Sequence, residues 1–163
     1  MQNIIKIAAA TAILLASCGN THSDTGTKVA SVPVPEVKFN ADSAYSYIKH
    51  QVEFGARVPG TVAHQNCVNY IISELGRHGV DTVFTQNAEV TAFTGDILPI
   101  TNIIASINPE STDRVLLAAH FDTRPWADNE DNSTARNTPI LGANDGGSGV
   151  GVLLELARKL AEH

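Results

Sequence analysis

Two short segments constrain this chain more than anything else in it. Residues 114–119, Arg-Val-Leu-Leu-Ala-Ala, form a continuous apolar run that ends in His120-Phe121-Asp122. The next apolar pattern begins only after Gly142-Ala143-Asn144-Asp145-Gly146-Gly147-Ser148-Gly149. An uninterrupted run of that length is expected of a central strand covered on both faces. The pattern that follows, with Val150, Leu153, Leu154, Ala157 and Leu160 in register, predicts a helix over 149–161. The chain therefore leaves a buried strand through a long loop and returns through a glycine-rich turn. In open α/β sheets, ligands bind where a loop leaves the C-terminal end of a strand.

The remaining elements fit an α/β layered domain. Asn40-Ala41-Asp42-Ser43 offers a helix start, with Tyr45, Ile48 and Val52 recurring at helical spacing and an end near Phe54-Gly55. Arg57-Val58-Pro59-Gly60-Thr61 reads as a turn. A second helix is predicted over 61–78, carrying Cys67, Tyr70, Ile71 and Leu75 on one face and stopped by Gly79. Residues 83–93 and 101–107 have strand-like content, and Asn108-Pro109-Glu110 makes a turn.

The first residues are not expected to belong to the fold. Lys6 precedes an apolar run over 7–17, shorter than the roughly 20 residues that a spanning helix needs, so residues 1–17 read as a signal peptide. Leu15-Ala16-Ser17-Cys18 resembles a bacterial lipobox, which makes Cys18 the expected lipidation site; an ordinary signal peptide with an incidental cysteine is the alternative. Residues 18–39, polar and then Val/Pro-rich, read as a tether to a domain over 40–163. The expected location is the periplasmic or cell-envelope side, anchored to the membrane as a lipoprotein. With Cys18 lipidated, Cys67 is the one remaining thiol and no internal disulfide forms. On its apolar stripe Cys67 reads as a buried structural thiol.

The net charge is −6, and losing Lys6 with the signal peptide makes it −7. No basic run appears, so nucleic acid is excluded as a partner.

His120 and Asp122 share one side of an extended chain. A carboxylate beside an imidazole fixes its tautomer and orientation, the arrangement found behind metal-bound histidines. A locally hydrogen-bonded pair ending a strand is the plainer alternative. Asp145 lies in a segment with four glycines ahead of a helix. Asp145, Asn144 or Ser148 would each serve as an N-cap, yet a cap does not require glycine on both sides. Histidine nitrogen and aspartate oxygen suit zinc. A phosphate-cradling loop is the rival, but no lysine follows the glycines.

On these residues the sequence resembles the zinc aminopeptidases of co-catalytic type and their relatives, the glutaminyl-peptide cyclotransferases. Those proteins share strand, His-x-Asp, loop, Gly-x-x-Asp-Gly/Asn-x-Ser-Gly and helix. Ala118-Ala119-His120-Phe121-Asp122-Thr123-Arg124-Pro125-Trp126-Ala127-Asp128, Thr138-Pro139-Ile140-Leu141-Gly142-Ala143-Asn144-Asp145 and Leu153-Leu154-Glu155-Leu156-Ala157-Arg158 carry the match. Gly55-Ala56-Arg57-Val58-Pro59-Gly60 and Thr101-Asn102-Ile103-Ile104-Ala105 extend it upstream. The Thr-Arg-Pro-Trp and Thr-Pro-Ile-Leu-Gly-Ala-Asn-Asp stretches resemble the secreted glutaminyl cyclases of Bacteroidetes-type bacteria. Ala119 stands where animal cyclases carry a disulfide cysteine, which places the resemblance in the bacterial branch.

The resemblance implies a three-layer α/β sandwich with a mixed, largely parallel sheet, zinc-exopeptidase-like, whose C-terminal part lies beyond His163. It implies Asp145 as a zinc ligand and His120 as a conditional one, a ligand only if two zincs bind. Asp122 would orient His120, and Trp126 would either border the substrate pocket or be a partly exposed loop aromatic. Arg124 would hold the loop through carboxylates such as Asp128, and Glu155 would be structural. The catalytic Glu, its neighbouring ligand Glu, a further acid and the ligand His are expected beyond His163, so no catalytic residue is assigned in this chain. The implied activity is zinc-dependent conversion of the N-terminal Gln of peptides or proteins to pyroglutamate with release of ammonia, with one zinc per full-length chain. The alternatives are a di-zinc aminopeptidase and a lipoprotein binding module with a degenerate site.

Overall fold

A computed structural model describes residues 36–162. The predicted signal peptide, Cys18 and the tether as far as residue 35 lie outside the described residues. Two helices come first. Helix α1 spans Ala41–Glu53, capped by Asn40, whose side chain accepts from the Ser43 amide. Helix α2 spans Val62–His78, begun by the Thr61 hydroxyl, which accepts from the His64 amide. It is ended by Gly79 in the left-handed conformation, whose amide returns to the last turn. Both starts and both stops fall where the sequence places them.

The buried face of α1 differs from expectation. Tyr45 is 69% exposed, whereas Ala44, Tyr47 and Gln51 are buried. The apolar spacing missed this because two buried positions are polar-tipped and find internal partners. Tyr47 Oη meets His78 Nε2 at 3.1 Å, and Gln51 Nε2 donates to the carbonyls of Tyr47 and Gly147, each at 3.1 Å. Once their polar ends are satisfied, such residues bury well.

Strands β1 (Thr82–Thr91) and β2 (Ile97–Ser106) pair antiparallel, from Thr82 opposite Ser106 to Thr91 opposite Ile97. Strand β2 starts earlier than the predicted 101 because Pro99, which cannot donate to a ladder, is tolerated opposite Glu89 in this two-stranded ribbon. Asn108-Pro109-Glu110 turns as expected, the Ser111 amide donating to Asn108 O at 3.1 Å.

The predicted central strand over 114–119 is overturned. Among the described residues the only sheet is the β1–β2 hairpin, and 114–119 run without a ladder partner. Val115 and Leu116 are 86% and 90% exposed. An apolar run signals burial on both faces, but a strand exists only where a neighbour supplies hydrogen bonds; here neither is present, and the parallel sheet is not formed among the described residues.

After the short helix α3 (Ser133–Arg136), a kinked π-type turn, Ala143–Ser148, leads into α4, Gly149–Ala161. Helix α4 was expected over the same residues, but Leu160 is exposed and Glu155 is buried. The core gathers Tyr47, Cys67, Ile71, Leu75, Val150 and Leu154, with Val83 and Ile103 of the hairpin packed against it. Each fully buried aliphatic side chain there contributes about 1.5–3 kcal/mol. Cys67 is buried and unbridged, and burial pushes its thiol up to about 11, as expected of a structural cysteine.

Candidate metal centre

The structure brings together the segments that the sequence keeps far apart. His120 Nε2 lies 2.9 Å from Asp145 Oδ1. On the other side of the ring, Nδ1 lies 3.5 Å from Asp122 Oδ1 and 3.2 Å from the Asp122 carbonyl. The imidazole therefore sits between two carboxylates, and all three groups are about half exposed.

Asp145 has no capping duty. No side chain caps the π-type turn or α4, and the Ser148 hydroxyl donates to Asn144 O at 2.6 Å instead. The aspartate backbone is extended inside the turn (φ −101°, ψ 94°), and the Asp145–Gly146 peptide is cis. The glycines have steric reasons to be there. Gly142 has a φ of 58°, and a Cβ on it would overlap Thr123 and the Asp145 carbonyl. A Cβ on Gly146 would overlap the His120 carbonyl and lie 2.6 Å from two ring atoms of the same residue. Only glycine lets the turn approach His120 this closely.

Beneath the site lies a residue that the sequence places in a turn and in the upstream family match, with no role of its own. Arg57 is fully buried. Its Nε donates to Phe121 O at 2.8 Å, Nη1 to Leu141 O at 2.7 Å, and Nη2 to Gly142 O at 2.7 Å. Longer bonds from Nη1 reach Gln51 O and Gly55 O at 3.3 and 3.4 Å. Its own carbonyl accepts from the Thr123 amide at 3.2 Å. Burial lowers the guanidinium pKa, and the Asp122 charge opposes that shift in part. The available sequence signal was one arginine inside Gly-Ala-Arg-Val-Pro-Gly, a segment too short to suggest burial.

The other assigned residues fall as follows. Arg124 pairs with Asp128 through Nη1 and Oδ1 across the loop. Trp126 is partly exposed, at 38%, on the same loop. Glu155 is buried and structural: Arg158 grips it through two bonds of 2.8 and 2.7 Å, and the Asn40 amide donates to it at 2.9 Å. Arg158 above all, then Asn40, hold its carboxyl below the usual range against the opposing effect of burial.

The donors suit zinc in kind: carboxylate oxygen and imidazole nitrogen in reach of each other on an open face. They do not complete a site. Among the described residues no three His, Cys, Asp or Glu side chains converge as a metal site, because Asp122 and Asp145 lie on opposite edges of the His120 ring.

Residues 102–163 match Peptidase family M28. The fold is zinc-exopeptidase-like. Tannerella forsythia glutaminyl cyclase is 52% identical with a TM-score of 0.74, covering 77% of this chain and 43% of its own. A Zn-dependent exopeptidase from Parabacteroides distasonis is 51% identical with a TM-score of 0.75, covering 77% of this chain and 42% of its own. A leucine aminopeptidase precursor from Bacteroides thetaiotaomicron is 52% identical with a TM-score of 0.76, covering 81% and 44%. No curated protein is matched by sequence. The chain thus resembles Bacteroidetes glutaminyl cyclases and zinc exopeptidases over most of its length, and spans less than half of theirs.

Proposed function

We propose that the whole protein is a zinc-dependent glutaminyl-peptide cyclotransferase. The observation that carries this reading is Asp145 held against His120 on a glycine turn, in a chain whose 123–126 loop reads Thr-Arg-Pro-Trp as in the cyclases. Asp145 would hold the metal, which when bound supplies Lewis-acid polarisation of an amide carbonyl. His120 would brace the Asp145 carboxylate, and Asp122 would fix the His120 ring from its other nitrogen. Trp126 would border the pocket that receives the peptide. The substrates are peptides or proteins with an N-terminal glutamine: the α-amine attacks the γ-amide carbonyl, ammonia leaves, and pyroglutamate forms. The protein is exported and held at the membrane through a lipid on Cys18.

The second reading, a di-zinc aminopeptidase with His120 as a ligand, is favoured by the similarity to the leucine aminopeptidase precursor at the same identity as the cyclase. Metal analysis and product analysis of the whole protein separate the two. We expect one zinc per chain, pyroglutamyl product with ammonia, and a mature N-terminus acylated at Cys18 by mass spectrometry. Two zincs with free N-terminal amino acids would establish the peptidase instead, and an unacylated N-terminus would overturn the anchor.

A further inference from the structure

The geometry points to Arg57 as the positioning residue that sets the two halves of the metal centre against each other. The inference rests on the zinc reading above. Its guanidinium bonds Phe121 O on one side and Leu141 O and Gly142 O on the other. Phe121 is the residue between His120 and Asp122, and Gly142 opens the turn that carries Asp145. No other side chain of the described residues donates to the carbonyls of both segments.

The main chain extends the clamp. Gly142 O also accepts from the Gly147 amide at 3.1 Å, and Arg57 O accepts from the Thr123 amide at 3.2 Å. One residue therefore touches the chain just after His120 and the start of the turn before Asp145, and Gly142 O, which it holds, also receives the Gly147 amide from the far side. A planar fork with five N–H donors is the only side chain suited to this. The requirement is geometric: His120 and Asp145 are both open to solvent, so their 2.9 Å separation depends on how the main chain beneath them is held. There Gln51 holds Gly147 O of the turn alone, and Arg57 holds both segments. The hydrogen bonds of the Arg57 side chain go to main-chain carbonyls, so it acts through the backbone.

Arg57→Lys keeps the charge and loses the fork, so it tests position and not charge. The control is Glu155→Gln, which loosens the fold at a buried carboxylate away from the site. In the whole protein, zinc affinity is read by chelator competition, and hydrogen exchange of the Thr123 and Gly147 amides is read without metal. We expect Arg57→Lys to weaken zinc on the order of 10–100-fold, as loss of an outer support of a metal ligand does. Both amides should exchange at least tenfold faster, while Glu155→Gln leaves affinity within about twofold. Unchanged zinc affinity and exchange in Arg57→Lys would overturn the inference. An equal affinity loss in Glu155→Gln would overturn it too, by making the effect one of general stability. If the wild-type protein takes up no zinc, the zinc reading fails while the two exchange rates still decide whether Arg57 holds the segments.

Discussion

Two arginines organise two regions of this molecule in opposite ways. Arg158 meets a carboxylate, Glu155, through a two-point grip, and Glu155 in turn accepts from the Asn40 amide at the start of α1. Among the described residues Arg57 has no carboxylate within hydrogen-bond reach, and it spends its donors on carbonyls of residues 51, 55, 121, 141 and 142. The first arrangement joins two helices, and Arg158 stays partly exposed. The second joins loops, and its cation is wholly buried. A charge pair holds elements that already have their own hydrogen bonds. A fork of donors holds segments that have few, because loop carbonyls lack ladder partners and must be satisfied in another way.

The comparison predicts unequal costs. Arg57→Met should be the most damaging, removing every donor and stranding buried carbonyls, with a loss of about 3–5 kcal/mol in denaturant unfolding. A loss below about 1 kcal/mol would mean that water or relaxation replaces the fork. Glu155→Gln should cost about 1.5–3 kcal/mol at neutral pH, since charge-assisted bonds become neutral ones.

That second region also carries a pH signature. The folded carboxyl of Glu155 lies below its ordinary 4.5, so its stabilisation is fully present above that value and lost as pH falls through the folded pKa. Burial, chiefly, lowers His78 below 6.5, so protonation favours the unfolded chain and stability declines below that pH first. His64, lowered chiefly by burial too, adds to the upper step. Acid titration of stability should thus show an upper histidine step and a lower Glu155 step, and Glu155→Gln should remove the lower one. Thr123→Val should have the smallest effect. The Thr123 hydroxyl is buried with no partner among the described residues, so removing it should be neutral or stabilising by up to about 1 kcal/mol. A clear loss would show that the clamp depends on side chains in addition to the main chain.

Legibility in the sequence followed the range of the signal. Caps at Asn40, Thr61 and Gly79 are local chemistry, and α1 and α2 appear where those residues put them, while α4 follows its apolar register. His120, Asp122 and Asp145 were legible as candidates because glycines crowd one of them and a strand-like run precedes the others. Their meeting at 2.9 Å was not, since it depends on a fold across the loop. Arg57 escaped notice because buried guanidinium groups leave no periodic trace. The run at 115–117 misled for the converse reason: its composition reports an affinity for burial and says nothing of which neighbour supplies it.

The main-chain character of the Arg57 contacts has an evolutionary consequence. A residue whose acceptors are carbonyls imposes through those bonds no side-chain identity at Phe121 or Leu141. Substitutions at those positions need no compensating change at 57, so paired-substitution statistics among relatives would carry no trace of this junction. It would show only as an arginine that does not vary, while residues such as Gly142 and Gln51 are held by contacts of their own.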